Sequence, residues 1–277
     1  GGVTKTTTTP VTVTSISNTL ASNSWATIRA VSDAGKGSNY WSVGDAKGIT
    51  INGKVGATTF SNLAISVFIL GFNHNASREG SNRIHFQIGK INGTLVGLVD
   101  GNYSNYTSTT GAFTMNTSNT NSGGWNNSHM RKTVLGSNSA SATSPAANTL
   151  LAALPADLRA VMKPATKYSD NTGGGSDTAS YVTSTTDLLP LLSEFEYHGV
   201  RSYANSAEKN YQAQYDYYRA GNSKVHYRHN ATGTAALAWC RSVRSSYGTS
   251  FCRVYTDGGA SISGADYSWA LAPCFFV

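Results

Sequence analysis

The sequence predicts an α+β domain of short, mostly antiparallel strands, a few short helices and much irregular structure. Apolar residues come in short runs, several with the period-two alternation of half-buried strands. The three-and-four spacing of an amphipathic helix surfaces only briefly, between about residues 127 and 194. Of 277 residues 28 are Gly and only 13% are charged, with Ser, Thr, Asn and 15 Tyr filling the gap. A 39% hydrophobic share suffices for one core. Residues 24–277 are therefore expected to form a single domain behind a Thr/Ser-rich tether at 1–23.

Val11 to Ile16 largely alternates and is a candidate strand within the tether. From Trp25 to Val99 the pattern is short β-runs and turns. Ile49 to Val55 reads as a hairpin with Asn52-Gly53 at its tip, since that dipeptide favours the tight hairpin turn. Ile65 to Leu70 reads as a buried strand, and Ile84 to Ile88 as a half-buried one. Residues 100–124 read as a long polar loop anchored by Phe113 and Met115. Asn127 or Ser128 is placed to cap a short helix. Leu150, Leu151, Leu154, Leu158 and Val161 mark an amphipathic helix interrupted at Pro155. Asp187 to Glu194 reads as another short helix or turn. Gly173-Gly174-Gly175 reads as a flexible loop tip, and with no Lys-Ser/Thr after it, it is no phosphate cradle. Trp239, Phe251 to Tyr255 and Leu271 to Val277 are strand candidates. Thr256 to Ser268, with Ile262 its sole large aliphatic, reads as a loop or exposed hairpin.

The net charge of +7 is scattered, and Arg131-Lys132 is the one adjacent basic pair. A nucleic-acid surface concentrates charge on one face, so nucleic acid is not an expected partner. A basic surface still favours encounter with anionic glycans. No apolar run is long enough to span a bilayer, so no membrane insertion is expected. The Gly1-Gly2 start reads like a fragment or processed chain, with an anchoring part expected upstream. Cys240, Cys252 and Cys274 lack the paired spacing of a zinc site and read most simply as small buried hydrophobes. A Cys252–Cys274 or Cys240–Cys252 disulfide stays open. Trp25, Trp41, Trp125 and Trp239 read as core anchors.

Several stretches carry a family resemblance: Trp25-Ala-Thr-Ile-Arg, Tyr40-Trp-Ser-Val-Gly-Asp, Phe68-Ile-Leu-Gly-Phe-Asn-His-Asn and Ser122-Gly-Gly-Trp-Asn-Asn-Ser-His-Met-Arg. Leu154-Pro-Ala-Asp-Leu-Arg, Leu192-Ser-Glu-Phe-Glu, Gly221-Asn-Ser-Lys-Val, Trp239-Cys-Arg-Ser and Ala270-Leu-Ala-Pro-Cys-Phe-Phe-Val follow in order. From about Trp25 to Val277 the chain resembles uncharacterised domains of the DUF6273 type, found in tail-associated proteins of phages that infect gut Firmicutes. The resemblance implies a C-type-lectin-like fold, similar to the variable proteins that retroelements diversify by scrambling adenines in Asn codons. Such scrambling yields Tyr, Ser, Asp, Gly, Ile, Arg or His, and never Lys, Glu, Gln, Met or Trp. Every Lys, Glu, Gln and Met of the chain lies at or before position 224. Trp269 does not fit the permitted set and is expected to be scaffold.

The expected ligand-binding surface is Arg244, Tyr247, Arg253, Tyr255, Ser261, Ile262, Ser263, Asp266 and Tyr267. Tyr supplies rigid amphipathic area, while Ser, Gly and Asp adapt. The expected function is a non-catalytic receptor- or ligand-binding module of a virion tail or surface protein, with no cofactor and no metal. Its expected partners are a bacterial cell-surface protein or glycan, other virion tail proteins and further copies of itself. The alternatives are a structural tail or capsid-decoration protein, and an oxidase resembling the formylglycine-generating enzymes, which use a pair of thiols. For the latter, the recognisable active-site stretch is missing, and Cys274 lies in an apolar run although reactive thiols need an exposed, electropositive setting. Glu194 and Glu196 meet only if they lie on a strand, and the leucines before them read as helix or turn. His226 and His229 read as surface or hydrogen-bonding residues. The Glu-Pro-Asn and Trp-Asn-Asp calcium signatures of sugar-binding C-type lectins are absent.

Overall fold

The computed structural model describes residues 15–106 and 111–277. Most of the Val11–Ile16 candidate strand and residues 1–14 of the tether lie outside them. The rest of the tether is packed, not free. Leu20 is buried, Asn23 Nδ2 donates to Ser17 O and Thr19 O at 2.9 Å, and Trp41 Nε1 donates to Ser17 O at 3.0 Å. Residues from Ile16 to Asn23 are thus packed with the rest of the domain.

Trp25–Asp33 is a helix, not the β-run expected there. Ser24 caps it by accepting from Thr27 N at 3.1 Å, and Trp25, Ile28, Val31 and Ser32 line its buried face. Strands β1 (Ala46–Val55) and β2 (Thr58–Phe72) form a hairpin. Its turn is Gly56-Ala57; Asn52-Gly53 instead marks a bulge, where the register shifts between Ile51 and Gly53. A bulge uses positive φ as readily as a turn does, and Gly53 has φ +142. At Gly56 (φ +56) an added Cβ would lie 2.2 Å from Gly111 O, so the tip closes only around glycine.

Strand β3 (Ile84–Ile91) pairs with β2 and is buried on both faces over Ile84–Gly89. Its polar alternates are inside and partnered. Gln87 Nε2 donates to Tyr197 Oη at 3.0 Å, Tyr218 Oη donates to Gln87 Oε1 at 2.6 Å, and His85 Nδ1 lies 2.9 Å from Tyr215 Oη. Alternation alone cannot separate a solvated face from a buried hydrogen-bonded one.

β4 (Thr94–Gly97), β7 (His226–Arg228) and β8 (Ala231–Ala236) extend this sheet in the order β1-β2-β3-β4-β7-β8, with β4 and β7 parallel. β12 (Cys274–Phe276) joins it by pairing antiparallel with β3. β5 (Ala165–Asp170) pairs with β6 (Val182–Asp187), and β9 (Ala238–Val243), β10 (Ser250–Val254) and β11 (Ala260–Gly264) form an antiparallel three-stranded sheet. The chain is thus mixed α/β, mostly antiparallel strands with a few short helices.

Ser128 Oγ accepts from Arg131 N at 3.1 Å at the start of the Met130–Leu135 helical segment, and the break at Pro155 separates Leu150–Ala153 from Ala156–Arg159. Leu188–Ser193 is irregular, bending at Leu188-Leu189, and the helix starts only at Glu194, where Ser193 and Glu196 form a capping box. The Gly173–Gly175 loop is tied down: Gly173 N donates to Asp170 Oδ1 and Gly174 N to Asn121 Oδ1, both at 2.8 Å. The cysteines are buried and free, and Trp25, Trp41, Trp125 and Trp239 are buried.

Sequence patterning gave no hint of the charge inside. Glu196, fully buried, accepts from Arg241 (2.9 Å for Nη2 to Oε1) and from Lys167 (2.6 Å), and Lys167 also reaches Glu79 at 2.8 Å. These groups come from the Ala76–Glu79 turn, β5, the Glu194–His198 helix and β9. Burial alone would raise both acids. In Glu196 Arg241 and Lys167 outweigh it and hold the carboxyl far below its usual range; Glu79 has only Lys167 close by, and stays raised. Two further knots flank the cluster. Asp187 accepts from Arg131 Nε and Ser137 Oγ at 2.8 Å, and Asp170 accepts from Asn205 Nδ2 at 2.9 Å.

Replacing Lys167 by Met leaves two buried carboxylates with one cation. Removal of one partner from a buried pair costs roughly 3–5 kcal/mol, so Lys167→Met should shift the urea midpoint strongly downward. Lys167→Met/Glu79→Gln should recover part of the loss; a single variant that melts like the parent would show that the network does not bear on stability.

Burial pushes His74 down to about 3 and His226 to about 4, and His85 well below its usual value. Each binds a proton below about 6.5 only when unfolded, so its stability is present above 6.5 and lost as pH falls below it. Glu208 has the opposite sign. Burial raises it to about 7, so its contribution is present below 4.5 and lost as pH climbs to 7. Burial also lowers His129, His198 and His229 and raises Glu79 alongside Glu208. Six histidines outweigh two acids between these limits, and the melting temperature should drop as pH falls from 6.5 to 5, at about 1.4 kcal/mol per pH unit for each net proton. Glu208→Gln should make that fall steeper and raise the melting temperature at pH 8. A flat profile from pH 5 to 7 in the parent would refute the assignment.

Candidate ligand-binding surface

The nine residues expected to form the binding surface do not share one patch. Arg244 and Tyr247 sit at the β9–β10 connection, with the Arg244 guanidinium 4.2 Å over the Tyr247 ring and Asn121 Nδ2 donating to Tyr247 O at 2.6 Å. Tyr255 follows the far end of β10, which at about 3.3 Å per residue lies roughly 17 Å away. Along β10 and β11 the side chains alternate between faces. Arg253 opposes Ser261 and Phe251 opposes Ser263, while Ile262 opposes Cys252 on the other face and packs against the core. Ile262 is therefore no exposed anchor. Ser263 and Asp266 are buried as well: Ser263 Oγ accepts from Trp269 Nε1 at 2.7 Å, and Asp266 lies against Tyr106.

What remains is a continuous aromatic strip. Tyr106 meets Tyr267 edge to face at 5.4 Å; Tyr267 lies parallel to Trp269 at 5.6 Å and 3°; Trp269 meets Tyr103 edge to face at 5.4 Å. These are the offset and T-shaped geometries that ring quadrupoles favour. The Arg253 guanidinium lies 4.8 Å over Trp269 and 5.9 Å from the Tyr255 ring, and Arg228 lies 4.1 Å over Tyr103. Tyr106 is 64% exposed and Tyr255 44%, whereas Trp269, at 7%, forms the floor. Trp269 is thus a buried floor beneath the strip. Burial lowers the Arg253 pKa, while hydrogen bonding to Asp266 raises the Tyr106 phenol.

Tyr103, Tyr106 and Arg228 escaped the sequence reading. Two tyrosines three apart in an Asn/Ser-rich loop were the available signal for the first two. Arg228 carried none, because its hairpin reaches the strip only through the β4–β7 pairing.

Other places offer less chemistry. Burial pushes the Cys274 thiol up to about 12 and those of Cys240 and Cys252 well above their usual value, the reverse of a nucleophilic thiol. Glu194 and Glu196 lie on a helix; Glu194 accepts from the amides of Ser202, Tyr203 and Ala204 instead of facing Glu196. His226 Nε2 lies 3.2 Å from Tyr197 Oη, and His229 Nδ1 accepts from Val99 N at 3.0 Å, so both are hydrogen-bonding residues. His74, Glu79 and Glu196 bring donor atoms within 4.8 Å of one another, as a metal ion requires. Lys167 and Arg241 already balance the two carboxylates there, and a divalent ion would load net charge into a site closed off from bulk solvent. Two surface grooves, of about 360 and 410 Å³, are lined by residues that include one lysine each (Lys54 and Lys36) and no acid, so neither assembles an acid–base pair.

Comparison with curated proteins and with solved structures finds no match. The family model described as "Domain of unknown function (DUF6273)" matches residues 103–277. The match starts well after Trp25, where the resemblance of the motifs begins, yet it includes every residue of the aromatic strip and spans more than half of the chain. This chain belongs to the DUF6273 family.

Proposed function

We propose that the chain is a non-catalytic binding module that holds a cell-surface ligand, a glycan or a protein, against the Tyr106–Tyr267–Trp269 strip and Arg253. The observation that carries the reading is the strip itself. Its rings stack on a buried tryptophan, so their geometry is set before any ligand arrives, and little ordering entropy remains to oppose binding. Buried thiols, and carboxylates bound up in structural pairs, support a role other than catalysis. A C-type-lectin-like architecture, a place in a virion tail beside other tail proteins, and display in several copies belong to the same proposal. Multivalency would let a weak single site suffice. The reading also takes in diversification by a retroelement, at positions whose side chains reach the surface, chiefly Tyr247, Arg253, Tyr255, Ser261 and Tyr267.

The test is binding of the labelled chain to a glycan microarray and to bacterial cell-wall fragments. Tyr106→Ala/Tyr267→Ala should weaken binding by about 1–2 kcal/mol per ring while leaving the melting temperature nearly unchanged. Binding equal to the parent's would place the ligand elsewhere, and no binding to either preparation would favour the structural tail or decoration role.

A further inference from the structure

We propose that Arg228 and Arg253 form a paired guanidinium subsite for an oxyanion carried on a sugar, either a uronate carboxylate or a sugar phosphate. This names the ligand class of the aromatic strip and rests on that reading.

The protein pairs its buried cations with acids, whereas Arg228 and Arg253 are half-buried. Arg131 is paired with Asp187, Arg241 with Glu196, and Lys167 with two glutamates. Arg228 and Arg253 have no such partner among the described residues. Arg253 makes one side-chain hydrogen bond, from Nε to Ser261 Oγ at 3.3 Å, and the Arg228 Nε is buried with no acceptor. A buried donor left unpaired is costly, and a ligand oxygen would complete it.

The nearby acids form no ion pair with either arginine among the described residues. Asp100 accepts from Asn102 N, Phe113 N and Ser268 Oγ, Asp257 accepts from Gly259 N at 2.8 Å, and Asp266, whose Oδ1 has no partner, is held by Tyr106. Residues 1–14 and 107–110 contain no Asp or Glu at all. Each guanidinium instead lies over a ring, Arg228 over Tyr103 and Arg253 over Trp269, and those two rings touch. A guanidinium stacked by its face keeps its N–H edge free, the shape that grips a carboxylate or phosphate with two parallel bonds. The exposed rings of Tyr106 and Tyr255 beside it offer the apolar faces that a pyranose ring covers.

A nucleic acid also combines phosphate with flat rings. It needs a charged groove along its backbone, and no lysine follows Lys224. Two guanidinia suit one charged sugar better than a polynucleotide.

The test is isothermal titration of the chain with polygalacturonate oligomers, their carboxyl-reduced counterparts, a phosphomannan and oligothymidylate, at low and high salt. The expected result is binding of polygalacturonate or phosphomannan, weakening with salt, and little binding of the reduced oligomer. Arg253→Gln and Arg228→Gln should each lose about ten- to a hundredfold in affinity with unchanged melting temperatures. Arg253→Lys should recover only part, since it keeps the charge and loses the fork. Whichever acidic polymer binds identifies the oxyanion. Equal binding of the reduced oligomer, with Arg253→Gln neutral, would overturn the oxyanion subsite and leave the aromatic strip standing. Oligothymidylate binding as tightly as the acidic sugars would overturn the ligand class. No binding of any of the four by a chain that still binds cell-wall fragments would overturn this proposal alone.

Discussion

The fold turns on one buried ion cluster, Glu196 between Arg241 and Lys167. A carboxylate with no exposed surface survives only if cations and donors replace the water it gave up. Arg241 does so from β9, Lys167 from β5, and the Glu194–His198 helix holds Glu196 between them. Three elements distant in sequence are thereby forced into one arrangement, because displacing any of them strands a charge. Arg241 reaches further still, donating to Leu191 O at 3.0 Å and Ser169 Oγ at 2.8 Å. The irregular stretch before the capping box is pinned by the same guanidinium that neutralises the acid.

The aromatic strip inherits its rigidity from this cluster through β9. Trp239, two residues before Arg241, opposes Arg253 across the β9–β10 pairing, and its Nε1 donates to Phe113 O at 2.9 Å. Phe113 O also accepts from Trp269 N. The loop after residue 110, the floor tryptophan and the arginine above it are therefore fixed to one strand, which the ion cluster holds at its other end. Exposed rings on an immobile floor can afford variation at their outer atoms without disturbing the core.

The family match begins at residue 103, but the folded unit does not. β12 finds its partner in β3, Ile84 N donates to the Val277 carbonyl at 2.9 Å, and Glu79 lies on the Lys167 ammonium. A segment starting at 103 would lose the strand that covers Cys274–Phe276 and the acid that helps balance Lys167. Residues 15–102 are thus part of the same core, which explains why apolar motifs such as Phe68-Ile-Leu-Gly-Phe run so far upstream of the matched region.

How much of this was legible follows from what a residue's neighbours in sequence can reveal. Short antiparallel strands, the break at Pro155, the buried thiols and the anchoring tryptophans depend on local pattern and residue type, and those were readable. The helix at Trp25 was readable too: Ser24 as cap and the spacing of Trp25, Ile28 and Val31 are its signal, masked by the β-rich text around it. The ion cluster was not, because Glu79, Lys167, Glu196 and Arg241 are separated by tens of residues and each looks like an ordinary surface charge. The site falls between these cases. Exposed tyrosines and Arg253 could be picked by type, but Ile262 and Ser263 could not be assigned to faces until the β10–β11 register was known, since a shift of one residue inverts every side chain. An aromatic surface assembled from a loop, two hairpins and a strand end is therefore read in sequence as a list of residue types, and only the register turns that list into a surface.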